Sequence, residues 1–170
     1  MSPPPEGLVF AEAVPEDWPD IWTIFHAVVA TGDTYPYPPE TTEEEAFSIW
    51  MRLDRDREAT YTARMGEEIV ATAYVKANGL GLGDHVANAG WMVAPDHQGR
   101  GIGRPFAEWV LEQARGLGYS AMQFNSVVAT NTGAVALWES LGFEVVGTVP
   151  DAFRHAARGL TPVHVMYRPL

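Results

Sequence analysis

The sequence predicts a single-domain α/β protein, built on one mixed sheet of about seven strands with four helices. Three observations carry this. The chain has 170 residues, is 46% hydrophobic and 19% charged, and shows neither an internal linker nor a repeat, which fits one domain with a sizeable core. Its apolar periodicities fall in the order β-α-α-β-β-β-α-β-α-β-β. That order mixes hairpins with strand–helix–strand units, so parallel and antiparallel pairs share one sheet.

Residues 1–7, rich in proline, read as a frayed tail before a domain spanning 8–170. "LVFAEAV" (8–14) is a strand. From Pro15 to Ala30, Trp18, Ile21, Trp22, Phe25, Val28 and Val29 recur at the spacing of one helical face. Pro36, Pro38 and Pro39 end that helix, because proline removes donors and restricts its predecessor. A second helix begins near Thr42, with Glu43, Glu44 and Glu45 in a first turn where the helix dipole favours them. "ATYTARM" and "IVATAYVKA" flank "GEE" as a hairpin, "GLGLGDH" is a loop, and "VANAGWMVAP" (86–95) is the next strand. Ile102, Phe106, Trp109, Val110 and Leu117 then form a helical face that stops at "GLG". A strand at 121–127, a helix from about Asn131 to Leu141 ended by Gly142, and strands at 143–149 and 163–168 complete the chain.

Composition narrows the function. Without cysteine there is no disulfide, thiolate metal site or cysteine nucleophile. The histidines and carboxylates have no metal-ligand spacing, so no metal is expected. A formal net charge of −11 disfavours nucleic acid and anionic membranes as partners. No window approaches the length of a membrane span and no leader pattern opens the chain, so the expected location is the cytoplasm.

The stretch "DHQGRGIGRP" (96–105) places glycines at 99, 101 and 103 between a strand and a helix start. Such glycines expose backbone N–H groups and admit a ligand where a Cβ would stand. The helix N-terminus adds partial positive charge, which suits a phosphate or pyrophosphate. A dinucleotide fingerprint fails, because Arg104 or Phe106 stands where its third glycine belongs. A nucleotide P-loop fails for want of a Gly-Lys pair.

What matches is Gln98-Gly99-Arg100-Gly101-Ile102-Gly103, a Q-x-x-G-x-G pattern that resembles the acyl-CoA pyrophosphate loop of the GCN5-related N-acetyltransferase (GNAT) superfamily. "NTGAVALWESLGFEVVGT" (131–148) is similar to that family's later helix and strand. The resemblance implies a sheet whose fourth and fifth strands splay apart, with acetyl-pantetheine of acetyl-CoA in the gap as a pseudo-strand. It implies that backbone groups of Trp91, Met92 and Val93 pair with the pantetheine arm. Gln98, Gly99, Arg100, Gly101, Ile102, Gly103 and Arg104 would then frame the pyrophosphate, and Asn131 would contact the cofactor while also serving as a helix N-cap.

Two features depart from the family pattern. Many members carry a tyrosine on the later helix to protonate the leaving thiolate; here Trp138 stands there, and an indole is no general acid. Nor does "HVANAGWMV" supply the glutamate base of many relatives. A narrower resemblance, to the branch containing the yeast acetyltransferase of proline analogues such as azetidine-2-carboxylate, implies that Asn88 and Asn125 line the acceptor site. Tyr35, Tyr37 and Phe153 are candidate acceptor-binding residues.

The function implied is acetyl transfer from acetyl-CoA to the amine of a small molecule, such as an amino acid or a toxic analogue, by direct attack in a ternary complex. A homodimer is compatible with this. Two alternatives stay open: a protein lysine or N-terminal acetyltransferase, and a non-catalytic acyl-CoA-binding module.

Overall fold

The computed structural model describes residues 5–53 and 56–170. The first four residues of the expected tail lie outside them. Chain order gives β1 (Leu8–Glu12), α1 (Trp18–Val29), α2 (Glu43–Trp50), β2 (Ala59–Met65), β3 (Glu68–Ala77), β4 (Val86–Val93), α3 (Gly103–Gly116), β5 (Ala121–Val128), α4 (Thr132–Ser140), β6 (Glu144–His155) and β7 (Gly159–Pro169). The seven strands form one sheet in the order β1-β2-β3-β4-β5-β7-β6. All pairs are antiparallel except β4 with β5.

Local chemistry sets the helix starts. Thr42 caps α2: its hydroxyl accepts from Glu45 N–H at 3.3 Å, while Glu45 accepts from Thr42 N–H at 2.9 Å, a reciprocal box. Helix α1 begins at Trp18 and not at Pro15, because Pro15–Asp17 form a 3-10 turn first. Asp17 holds that turn, accepting from Val14 N–H at 3.1 Å and pairing with Arg64.

Two cores sandwich the sheet. On one face Phe106, Val110 and Leu111 of α3 pack against β2 and β3, together with Phe124, Trp138 and Phe143. On the other, Ile21, Phe25 and Trp50 of α1 and α2 pack against Tyr74 and Met92. Burying large side chains on both faces pins the register, because a slip of one residue would exchange them.

The last strands are longer than their periodicity predicts. Strand β6 runs past residue 149 to His155, and β7 starts at Gly159. A register shift between Val149 and Phe153 absorbs Pro150 and Asp151, with Asp151 at φ +53°. Proline breaks alternation but is tolerated at a bulge on an edge strand. Past it, Ala156 N–H donates to Gly32 O at 2.9 Å. The hairpin tip is thereby tied to the loop between α1 and α2.

Candidate active site

The site begins where the sheet comes apart. Strands β4 and β5 pair only at Val86–Ala121 and Ala87–Met122. Beyond them Asn88 takes over: its Nδ2 donates to Gln123 O at 2.9 Å, so a side chain ends the ladder. Strand β5 bends further along, with a register shift against β7 between Phe124 and Val127. A cleft of about 240 Å³ opens between the strands, roofed by Tyr35, Pro36 and Tyr37 and walled by Phe124, Asn125, Asn131 and Trp138.

Alternation decides which backbone groups of β4 face this gap. Ala94 N–H donates to Val70 O at 2.9 Å, and Val86 O accepts from Asn78 N–H at 2.8 Å, so even-numbered residues bond to β3. The backbones of Ala89, Trp91 and Val93 turn to the gap. Met92 is therefore removed from the expected cofactor contacts: its polar groups face β3, and its side chain is buried in the α1–α2 core.

Trp91 is not left bare. The Tyr35 hydroxyl donates to Trp91 O at 2.6 Å and accepts from Trp91 N–H at 2.9 Å. Two residues on, Val93 O accepts from Gln98 Nε2 at 3.4 Å. Burial pushes the Tyr35 hydroxyl well above the ordinary tyrosine range, with Tyr74 and Tyr37 adding to the effect. Burial raises Tyr37 and Tyr74 as well. These three phenols are neutral hydrogen-bonding groups and cannot act as bases near neutrality.

The glycine loop continues from β4. Gly99 and Gly101 have φ of +74° and +79°, and no atom lies within 4 Å of where a Cβ would stand at either. These glycines serve left-handed backbone beside open space. Gly103 differs: it begins α3, and a Cβ there would touch Leu137 at 3.6 Å. The N-cap of α3 is Ile102, which is buried and offers no oxygen, and the first turn carries no acidic residue. Its leading N–H groups have no side-chain cap, as an anion site requires. The Arg104 side chain is committed elsewhere, to Glu108 and Ser140, leaving its backbone to the loop; Arg100 is exposed.

Other expected residues fall in place unevenly. Asn131 caps α4, accepting from Ala134 N–H at 3.3 Å, and also lines the cleft. Asn125 lines it too, but its amide is engaged on both sides, accepting from Gln123 Nε2 at 2.8 Å and donating to Asn78 at 2.7 Å. Trp138 packs between Trp91 and Phe124, with centroids 4.8 and 4.7 Å away. Phe153 is buried with Val128 and Val163, behind the cleft wall. Gly90 follows Asn88 on the same face of β4. A Cβ there would meet Tyr74 at 2.7 Å and Trp50 at 3.1 Å, so two rings already fill that space.

Sequence reasoning missed the Tyr35 clamp and the Asn78–Asn125–Gln123 amide chain. Neither leaves a local signal, since each joins residues far apart in sequence. The site nevertheless fits an extended ligand with an anionic end. Gap-facing backbone runs from Ala89 to Val93 into an uncapped helix start, and Thr34 Oγ1 and Trp91 Nε1 are buried with no partner among the described residues, as where polar groups await a ligand. Among those residues, no three His, Asp or Glu side chains come together as metal ligands.

A split parallel pair with a glycine loop at its end defines a class of acyl-transfer folds. Residues 18–143 match the acetyltransferase (GNAT) family model, and the chain belongs to that family. It is 30% identical over 139 residues to N-acetyltransferase aca1 of Schizosaccharomyces pombe, covering 74% of this chain and 66% of that protein. The chain thus spans just under two thirds of that relative's length. A GCN5-related N-acetyltransferase from Kribbella flavida superposes with a TM-score of 0.93 at 44% identity, over 98% of this chain and 99% of that one. The Salmonella typhimurium yncA structure, described with its cofactor acetyl-CoA, shares the fold, with a TM-score of 0.86 at 18% identity over 97% and 95% of the two chains.

Proposed function

We propose that this acetyltransferase moves an acetyl group from acetyl-CoA to the amine of a small molecule, in a ternary complex and without a covalent enzyme intermediate. The observation that carries this reading is the parting of β4 from β5 after two pairs, which turns the Trp91 and Val93 backbone toward a gap ending at the uncapped start of α3. The pantetheine arm pairs with that edge, and the pyrophosphate sits on the amides from Gly99 to Arg104. Asn131 borders the arm from α4.

Asn88 orients the acceptor. Its Nδ2 is held by Gln123, so Oδ1 is the atom that receives an amine N–H. The amine nitrogen attacks the thioester carbon and forms the C–N bond; the C–S bond breaks and its electron pair leaves on sulfur. The proton lost by nitrogen goes to solvent or to that thiolate, which, with a reference pKa of about 8.5, departs without an obligatory acid. Positioning supplies the acceleration, provided the amine binds neutral.

The acceptor is small because the cleft is roofed by the Tyr35–Tyr37 loop, tied to the β6–β7 hairpin through Ala156 and Gly32. A lysine-bearing peptide would need an open groove. We also read the protein as cytoplasmic and as a homodimer, since edge strand β6 exposes Val145, Val146 and Val149. The deciding experiment is acetyl-CoA-dependent thiol release against amino acids, their toxic analogues and lysine peptides. Release with peptides alone refutes the small-molecule reading, and release with none of them favours a binding module.

A further inference from the structure

The acceptor face of the sheet holds the chain's only lysine. Lys76 on β3 is the cross-strand partner of Asn88 on β4, and the two side chains rise from the same face. Opposed β-carbons in such a pair stand about 4.5–5.5 Å apart, so a lysine stem easily overreaches its neighbour. Its ammonium lies 5.9 Å from the ring centroid of Tyr74, a residue of the cleft wall. Arg52 approaches the same ring at 5.6 Å. That guanidinium is committed, donating to Ile49 O at 2.7 Å and standing 3.5 Å from Glu58. Lys76 has no hydrogen bond or ion pair among the described residues.

The surroundings make this placement informative. The protein has 22 acidic residues against 11 basic ones, yet no aspartate or glutamate lines the cleft. Glu58 acts on this partly desolvated ammonium from the β2 side, while on the β4 side its cross-strand partner is the neutral amide of Asn88. Burial and the nearby Arg52 hold Lys76 below the ordinary lysine range, opposed by Glu58.

We infer that Lys76 reads an anionic group on the acceptor, so that the substrate is a small amine bearing a carboxylate, an amino acid or a close analogue. Its amine donates to Asn88 Oδ1 while its carboxylate pairs with Lys76. In an α-amino acid the two groups are separated by a single carbon, which suits two residues directly opposed across a strand pair. A second consequence follows for reactivity: cations near the acceptor nitrogen favour its neutral, attacking form. That is the service a missing base would otherwise perform.

This inference rests on the acetyl-transfer reading, and the test separates the two. Each of several amino acids is compared with its carboxamide as acceptor, in the parent and in Lys76→Gln and Lys76→Arg, by kcat/KM for thiol release. The parent should prefer the acids at least tenfold. In Lys76→Gln the acid-to-amide ratio should fall by about 10- to 100-fold, mostly through KM, as when a charge-assisted hydrogen bond is lost. Lys76→Arg should retain most of the ratio. A purely structural lysine would lower both members of each pair alike and leave the ratio unchanged, which overturns the inference. So does a parent that acetylates amides as well as acids, although acetyl transfer then stands. A parent that releases no thiol with any amine removes the enzymatic reading itself.

Discussion

Tyr35→Phe is the most informative single change at the cofactor edge. The Tyr35 hydroxyl holds both Trp91 backbone groups, at 2.6 and 2.9 Å, the groups an extended ligand in the gap would use. Its ring is fixed independently, stacked on Tyr37 at 5.7 Å and edge-on to Trp50 at 6.0 Å. Removing one oxygen therefore leaves the loop in place and the strand edge open. Each hydrogen bond that the cofactor must displace contributes about 0.5–1.5 kcal/mol net. Two of them amount to roughly 1–3 kcal/mol, part of which water recovers, and each 1.4 kcal/mol is about tenfold in affinity. Acetyl-CoA should bind Tyr35→Phe about tenfold more tightly by calorimetry, while the ligand-free protein melts at a lower temperature because two buried groups lose their partner. An affinity unchanged or weakened in a folded variant would show that Tyr35 does not compete for Trp91, and the pseudo-strand placement would fall with it.

Four further outcomes are expected. Gly103→Glu puts an acid at the anion end of the cleft without backbone strain, because only Leu137 lies nearby, at 3.6 Å; acetyl-CoA affinity should drop at least tenfold by calorimetry with the circular dichroism retained. Trp138→Phe should keep most turnover, whereas Trp138→Ala should lose about 3–5 kcal/mol in denaturant unfolding, as deleted core aromatics do. Asn88→Ala should lower kcat/KM at least about tenfold, and Asn88→Asp should not rescue it, since a carboxylate cannot donate to Gln123 O; a rate at the parental level in either variant counts against Asn88 as the orienting group. Stability should decline above pH of about 10, where unfolded tyrosines ionise but folded Tyr35, Tyr37 and Tyr74 stay protonated and Tyr61 is pushed up to about 12. The folded state then holds more protons than the unfolded one, so unfolding free energy falls as pH rises; equal denaturant midpoints at pH 8 and 11 would contradict this.

The legible part of the fold is the part governed by local chemistry. Thr42 with Glu45 and Asn131 with Ala134 mark helix starts because a cap acts within three residues. The loop from Gln98 to Gly103 could be read because positive φ and an uncapped helix start leave a glycine pattern. What stayed hidden depends on pairing across the sheet. That Met92 faces β3 follows from the phase of a ladder, and that Gly90 is filled follows from Tyr74 and Trp50 arriving from other elements. Lys76 carries no signal in the sequence pattern, and only its register places it opposite Asn88. The length of β6 was obscured by Pro150, since a bulge lets pairing resume where alternation has failed.

The cleft also has to stay open, and the sequence pattern gives no hint of how. Two splayed strands expose unpaired N–H and C=O groups on facing edges, and closing the gap into a ladder would satisfy them. In this protein side chains do so first. Asn88 caps Gln123 O, Tyr35 takes both groups of Trp91, and Gln98 reaches Val93 O. Those four groups are therefore satisfied while the gap stays open, and closing it would require breaking these contacts to make others of similar strength. The same arrangement makes ligand entry an exchange of hydrogen bonds, with little net gain along the pantetheine arm. On the proposed placement, affinity then comes chiefly from the phosphate end at α3 and from the apolar wall formed by Trp91, Phe124 and Trp138. On that placement the cofactor is held by the end remote from the chemistry. Departure of the thiol end would then let Tyr35 regain Trp91, returning the strand edge to the state from which it began.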